Sequence, residues 1–255
     1  MSKKTALIMG VANRRSIAWA CVRSFLEKDY NIVFTYQNER FEKVAKDLMD
    51  STSFSHCRLH ALPCQVETDI PLLFQERLPE LLGGDDEEFC LDAIVHSIAY
   101  APNMKDSSLL DTSRNDFLLA HNISSYSFLE VARHSNTRSL TALSYLGAVR
   151  AVPHYNIMGP AKASLESLVR GLSLELGTKN NTRVNAVSAG PLSTLAARGI
   201  RGISCMRDDV ERRAPLKRNI TAEEVADTVV FLSQATGITG QTIYVDGGYL
   251  SLIHI

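Results

Sequence analysis

Seven short apolar runs alternate along the chain with stretches whose apolar positions recur at helical spacing. The runs are Thr5–Met9, Asn31–Tyr36, His56–Leu62, Leu91–Val95, Ser139–Leu143, Arg183–Ala189 and Gln241–Val245. Several are near-continuous and β-branched, the pattern of strands buried on both faces. Within Ile17–Leu26, residues Ile17, Ala18, Cys21, Val22 and Phe25 share a helical stripe. Further helices are predicted over Arg40–Met49, Ile70–Leu82, Ser113–Arg133, Tyr155–Gly177 and Ala222–Ser233. Pro71 is tolerable near its helix start, and Gly177 is placed to cap the helix that starts at Tyr155.

Strands separated by helices imply a parallel sheet covered on both faces. With right-handed crossovers this is an α/β, doubly wound, Rossmann-type sheet of about seven strands. No repeat or Pro/Ser-rich linker divides the chain, so residues 1–255 are expected to form a single domain. The acidic stretch Gly83–Glu88 is expected to be a solvated loop.

Composition narrows the function classes. The 255 residues are 45% hydrophobic and 22% charged, which argues against disorder. A net charge of -1, from 27 basic and 28 acidic residues, gives no reason to expect nucleic acid or an anionic membrane as partner. No apolar run approaches the ~18 residues of a spanning helix. The five cysteines are odd in number and lack C-x-x-C spacing, and the seven histidines are scattered. Neither a disulfide framework nor a metal site is expected, and a reduced setting, cytoplasmic or in an organelle matrix, fits best.

A doubly wound sheet binds ligands beyond the C-terminal ends of its strands. After the first run comes Gly10-Val11-Ala12-Asn13-Arg14-Arg15-Ser16-Ile17-Ala18. Gly10 permits a tight turn, and Ser16 can cap the next helix and donate to phosphate. The usual G-x-G-x-x-G is absent, so this segment reads equally as a plain strand-to-helix turn. Gln37 follows the second run, where NAD sites often carry a carboxylate and NADP sites a cation; it is neutral, Arg40 lies one helical turn on, and charge leaves both the cofactor and a plain polar loop open. His96 follows the fourth and is better read as a core histidine than a catalyst. Tyr155 and Lys162 lie seven residues apart, on nearly one helical face but about 10 Å apart along the axis. On spacing alone the pair is better read as a chance Tyr and Lys on one face; the functional alternative is a lysine that holds a ribose and, by its positive field, lowers the tyrosine pKa.

Together these strings resemble the short-chain dehydrogenase/reductase superfamily, and within it the enoyl-acyl-carrier-protein reductases, over nearly the whole chain. The carriers of the resemblance are Arg14-Arg15-Ser16-Ile17-Ala18, Phe34-Thr35-Tyr36-Gln37-Asn38, Val95-His96-Ser97-Ile98, Ile123-Ser124-Ser125-Tyr126-Ser127-Phe128 and Leu143-Ser144-Tyr145-Leu146-Gly147. Ser188-Ala189-Gly190-Pro191 with Thr194-Leu195-Ala196-Ala197, and Val245-Asp246-Gly247-Gly248, continue it. Tyr155-x6-Lys162 has the longer spacing of the enoyl reductases, not the Tyr-x3-Lys of the wider superfamily.

The resemblance implies NADH-dependent reduction of trans-2-enoyl-acyl-carrier-protein in fatty-acid synthesis, by a homotetramer, with NADPH the less expected donor. It implies that Tyr155 bonds the thioester oxygen, Tyr145 lines the enoyl site and Lys162 holds the nicotinamide ribose. Gly10, Ser16 and Ile17 would hold the pyrophosphate; Gln37, Gln65 and Val66 would surround the adenosine. Ile98, Leu192, Ser193, Thr194, Leu195 and Ala196 would surround the nicotinamide end, and Ala101 would touch the acyl chain. Residues 193–206 would form a mobile substrate loop. A carbonyl reductase of the same superfamily, or a non-catalytic dinucleotide-binding regulator, are the alternatives.

The chain also departs from the family pattern. Pro160 is unusual inside a helix; either the helix begins at Gly159-Pro160 and Tyr155 lies before it, or, as the family pattern favours, a local distortion lies beside Tyr155. Gln65 stands where an Asp is usual and Ser193 where a basic residue is usual. The stretch between Phe128 and Thr141 is short, and the end, Leu250 to Ile255, is abruptly apolar.

Overall fold

The computed structural model describes residues 3–52, 54, 56–83, 89–103, 108–195 and 197–252. Seven strands make one parallel sheet: β1 (Thr5–Met9), β2 (Asn31–Tyr36), β3 (Leu59–Pro63), β4 (Ala93–His96), β5 (Ser139–Tyr145), β6 (Arg183–Ala189) and β7 (Thr242–Val245). Their order is β3-β2-β1-β4-β5-β6-β7, as expected of a doubly wound sheet. The order reverses between β1 and β4, where Ile8 pairs with Val95 and Met9 with His96. Most of the acidic stretch 83–88 lies outside the described residues.

Alternation along each strand divides the core in two. Ala6, Ile8, Ile32, Phe34 and Val95 face α1 (Ile17–Leu26) and, later in the chain, the helix 222–234. Leu7, Met9, Val33, Ile94, Leu140 and Val184 face the opposite side. Residues Ala6 to Met9 are wholly inaccessible, so the central strand needs a continuous apolar run. Ser16 caps α1 by accepting from the Trp19 N–H at 3.2 Å. After β2, a 3-10 turn (Glu39–Phe41) leads into α2 (Glu42–Asp50).

Three expected helices differ in detail. The helix 70–82 comprises α3 (Ile70–Leu72), a wider π turn (Leu73–Arg77) and α4 (Leu78–Leu82). The π turn ends two residues before Pro79, whose ring would clash with the Gln75 carbonyl in a regular helix. The helix 114–134 likewise comprises α5 (Arg114–His121), a π turn (Asn122–Tyr126) and α6 (Ser127–His134). There Ser125 and Ser127 return their hydroxyls to the carbonyls of His121 (2.9 Å) and Ile123 (2.7 Å), competing with the regular ladder.

The next helix, α7 (Met158–Asn180), starts and ends later than predicted. Gly177 does not cap it. Asn181 does, in the left-handed region at φ 59°, with Thr182 N–H returning to Leu176 O at 3.3 Å. Pro160 is the third residue of α7, where its missing N–H would have had no partner in the helix. The distortion expected beside Tyr155 lies just before the helix, where His154 and Asn156 flank it at φ 61° and 31°.

A helix not predicted, α8 (Ile203–Arg213), begins inside the stretch expected to be loop. It buries only Val210, so it has no apolar stripe to read. The last helix, α9 (Ala222–Gln234), starts with a capping box between Thr221 and Glu224. Among the described residues no helix is long and apolar enough to cross a membrane.

Candidate active site

The turns that follow the strands enclose one cavity of about 1200 Å³. At the β1–α1 turn, Gly10 has φ +92°, and a Cβ there would lie 2.3 Å from Ser97 O and 2.9 Å from Ile98 Cγ1. Only glycine lets the turns after β1 and β4 touch at the switch point. Thr35 ties the same turn to β2, accepting the Gly10 N–H at its Oγ1 (3.2 Å) and the Val11 N–H at its carbonyl (2.8 Å). Ser16 lines the cavity, and its hydroxyl donates to Asn13 O at 2.7 Å. That bond must open before the hydroxyl can serve a phosphate.

Most of the residues implied by the resemblance meet on this wall. Gly10, Ser16, Ile17, Gln37 and Val66 line one part, and Ile98, Ala101, Tyr145, Tyr155 and Lys162 another. Leu192, Thr194 and Leu195 close over them from beyond β6. Gln65 and Ser193 are exposed and stand outside the lining residues. Ala196 lies outside the described residues. Of the expected loop 193–206, Ala197–Gly199 form a 3-10 turn and the last four residues belong to α8.

Tyr155 precedes α7 rather than lying on it. Its carbonyl accepts from the Met158 N–H at 3.0 Å, a turn that lets the phenol lie under Gly147. A Cβ on Gly147 would lie 2.3 Å from Tyr155 Cδ1, so the ring occupies the space glycine leaves. The Tyr145 ring packs against it with centroids 4.7 Å apart. Tyr145 Oη lies 3.9 Å from Met206 Sδ, which joins the site to α8.

The electrostatics reverse one expectation. Burial raises the Tyr155 pKa well above that of a free phenol, and neighbouring Tyr145 raises it further. Lysine does not lower it. Lys162 instead donates to Leu143 O at 2.7 Å, and burial brings its own pKa down to about 8. Tyr145 is likewise pushed up to about 12, by burial first. Both phenols therefore keep their protons at neutral pH. They are hydrogen-bond donors with no cost of protonation.

His96 lies in the core behind the site. Ser127 spends its proton on Ile123 O, so His96 Nε2, 2.8 Å from Ser127 Oγ, must carry the ring proton. Burial, followed by the Lys162 charge, lowers its pKa to about 3.

The prediction from sequence missed Thr35, Ser144 and Glu166. Glu166 falls on the buried stripe of α7 beside Leu165 and Val169, and a carboxylate on an apolar stripe is the signal that would have found it. Among the described residues no cluster of His, Cys, Asp or Glu is placed to hold a metal.

Residues 10–250 match the family model described as Enoyl-(Acyl carrier protein) reductase. The enoyl-acyl-carrier-protein reductase (NADH) FabI of Bacillus cereus is 42% identical over 256 residues, spanning 96% of this chain and 96% of its own. The Staphylococcus aureus relative named for NADPH is 40% identical, spanning 98% and 97%. Among solved structures, the Bacillus cereus reductase with NADP+ and an indole naphthyridinone superposes with a TM-score of 0.90 at 41% identity, covering 98% of each chain. That of Aquifex aeolicus does so at 0.87 and 39%, covering 99% and 98%.

Proposed function

Because this chain belongs to the enoyl-acyl-carrier-protein reductase family, we propose that it reduces the 2,3 double bond of trans-2-enoyl thioesters on acyl carrier protein, in fatty-acid synthesis, with NADH as the preferred donor. The observation that carries this reading is the Tyr155 phenol: buried, kept protonated and facing the cavity beside Tyr145 and Lys162.

The wall suits a dinucleotide. Gly10 brings backbone to the ligand without a Cβ, and the capped start of α1 offers a positive dipole end for the pyrophosphate. Gln37 and Val66 take the adenosine side, and the Lys162 ammonium takes the ribose hydroxyls at the nicotinamide side. Bound there, the nicotinamide supplies a hydride for the β-carbon of the enoyl chain.

As that carbon is reduced, negative charge gathers on the thioester oxygen as an enolate, and a proton taken from solvent at the α-carbon then completes the saturated thioester. The Tyr155 hydroxyl donates a hydrogen bond to that oxygen, and the bond strengthens as charge develops. Tyr145 and Ala101 bound the acyl side. Leu192, Thr194 and Leu195 cover the reacting end and exclude water, and residues 193–206 act as the lid.

NADH is favoured because Gln37 is neutral and offers no cation for a 2′-phosphate at that position. The relatives' names point both ways, NADH in Bacillus cereus and NADPH in Staphylococcus aureus. Steady-state assays with each donor and an enoyl carrier-protein substrate test this. A higher kcat/KM with NADH supports it, and a preference for NADPH overturns it.

A homotetramer is supported by apolar side chains left in solvent on α5, the turn after it and α7. Leu118 is 53% exposed, Tyr126 41% and Leu174 72%. A shallow groove of about 660 Å³ between these helices is lined by Leu118, Leu129 and Leu168. Such a face points to a partner surface. Sedimentation should give four times the 28.2 kDa chain mass, and a monomer contradicts the assembly. Five free thiols suit the reduced cytoplasm.

A further inference from the structure

One turn beyond Lys162 on α7 stands a second buried charge, Glu166, 4% exposed. Carboxylates are seldom buried to this degree without a partner. Its Oε1 accepts the Ser144 hydroxyl at 2.5 Å. Ser144 lines the cavity on β5, directly after Leu143, whose carbonyl holds the Lys162 ammonium at 2.7 Å. Two successive residues of one strand thus grip the two charges of α7, at i and i+4 on one helix face.

We infer that Glu166 is a positioning residue: braced by Ser144, it is the counter-charge that keeps Lys162 an ammonium in the dry wall of the cavity. This rests on the proposed role of Lys162 as the grip on the ribose.

The physical need is plain. Lys162 is buried, and burial alone drives an amine toward its neutral form. Its pKa comes down to about 8 even with Glu166 pulling the other way. A neutral amine loses its charge-assisted bonds to the ribose hydroxyls. The other groups facing the pair are few. Arg170 lies one turn further along α7, and Tyr244 on β7 feels the Glu166 charge. His96 on β4 feels Lys162 but is neutral above pH about 3. Tyr145 and Tyr155 on the cavity side stay protonated. Burial raises the Glu166 pKa, and the Ser144 hydroxyl, then Arg170 and Lys162, pull it back toward the carboxylate, which is the anion that favours the charged lysine.

The test is the titration of Lys162 itself in the cofactor-free protein, followed by NMR of [ε-13C]lysine with Lys162→Met to assign the signal. Glu166→Gln should lower the Lys162 pKa by about one unit or more, a tenfold change in its charged-to-neutral ratio. Ser144→Ala should move it the same way by less, and serves if Glu166→Gln does not fold. The alkaline limit of NADH binding, read by NADH fluorescence, should move down with each. An unchanged Lys162 titration in the folded variants overturns the inference, as does a loss of NADH affinity equal at every pH, the mark of a merely structural role. A wild-type protein that leaves enoyl thioesters unreduced contradicts the proposed function instead, and the lysine titration still judges Glu166 on its own.

Discussion

The Tyr155 phenol is held by burial rather than by charge. With its proton kept in place, it is a hydrogen-bond donor for an oxygen that becomes electron-rich. Tyr155→Phe should lower kcat by about 100- to 1000-fold, or roughly 3–4 kcal/mol of barrier, and leave the NADH Kd unchanged. Fluorescence titration beside steady-state kinetics checks both halves. Gly147→Ala retains the phenol, but its Cβ would sit 2.3 Å from Tyr155 Cδ1. It should lose turnover nearly as far as Tyr155→Phe, again with NADH bound normally. A fully active Gly147→Ala would show that the ring need not lie where it does. His96 carries a pH signature of a different kind. Its pKa is 6.5 in a free side chain and about 3 in the fold, so the unfolded chain binds the extra proton between those values. Stability is therefore full above pH 6.5 and falls as pH drops toward 3. His96→Gln should make the acid limb of a denaturation-versus-pH series shallower. An identical slope would mean that His96 titrates alike in both states.

At the scale of elements, legibility followed periodicity. The strand β1 and the helix α1 were read to the residue, because Ala6–Met9 and the stripe from Ile17 to Phe25 bury what they display. Neither π turn was legible. Both depend on single residues, Pro79 in one and the back-bonding serines in the other, that disturb hydrogen bonds without changing the apolar pattern. The end of α7 was misplaced because Gly177 looked like a cap, whereas Asn181 takes the left-handed position. Its start was misplaced because Tyr155 was assigned to the helix. Asn181→Val should cost about 1–2 kcal/mol, since a β-branched residue resists that conformation. A thermal melt checks it, and an unchanged Tm would remove Asn181 as the cap. The helix α8 escaped notice because one buried residue makes no stripe. Its link to the body is instead polar: Tyr249 Oη donates to Asp209 at 2.7 Å.

For the molecule as a whole, the alternation of runs sufficed for the sheet, its seven strands and its doubly wound order. The site was legible in part. Its residues come from the ends of six strands, and sequence spacing says nothing of how Gly10 meets Ser97 or how Gly147 meets Tyr155. The motif strings located these residues, and the cavity shows which of them share a wall. The sign of the Tyr155 shift was misjudged because a lysine seven residues on is visible in the sequence, whereas desolvation is not. The central claim is that a hydride goes to the β-carbon while Tyr155 steadies the thioester oxygen. Transfer from NADH deuterated at both C4 positions, followed by NMR of the reduced acyl product, tests it most directly. The account predicts deuterium at the β-carbon of the saturated thioester. Deuterium at the carbonyl carbon, or a thioester left unsaturated, would contradict it.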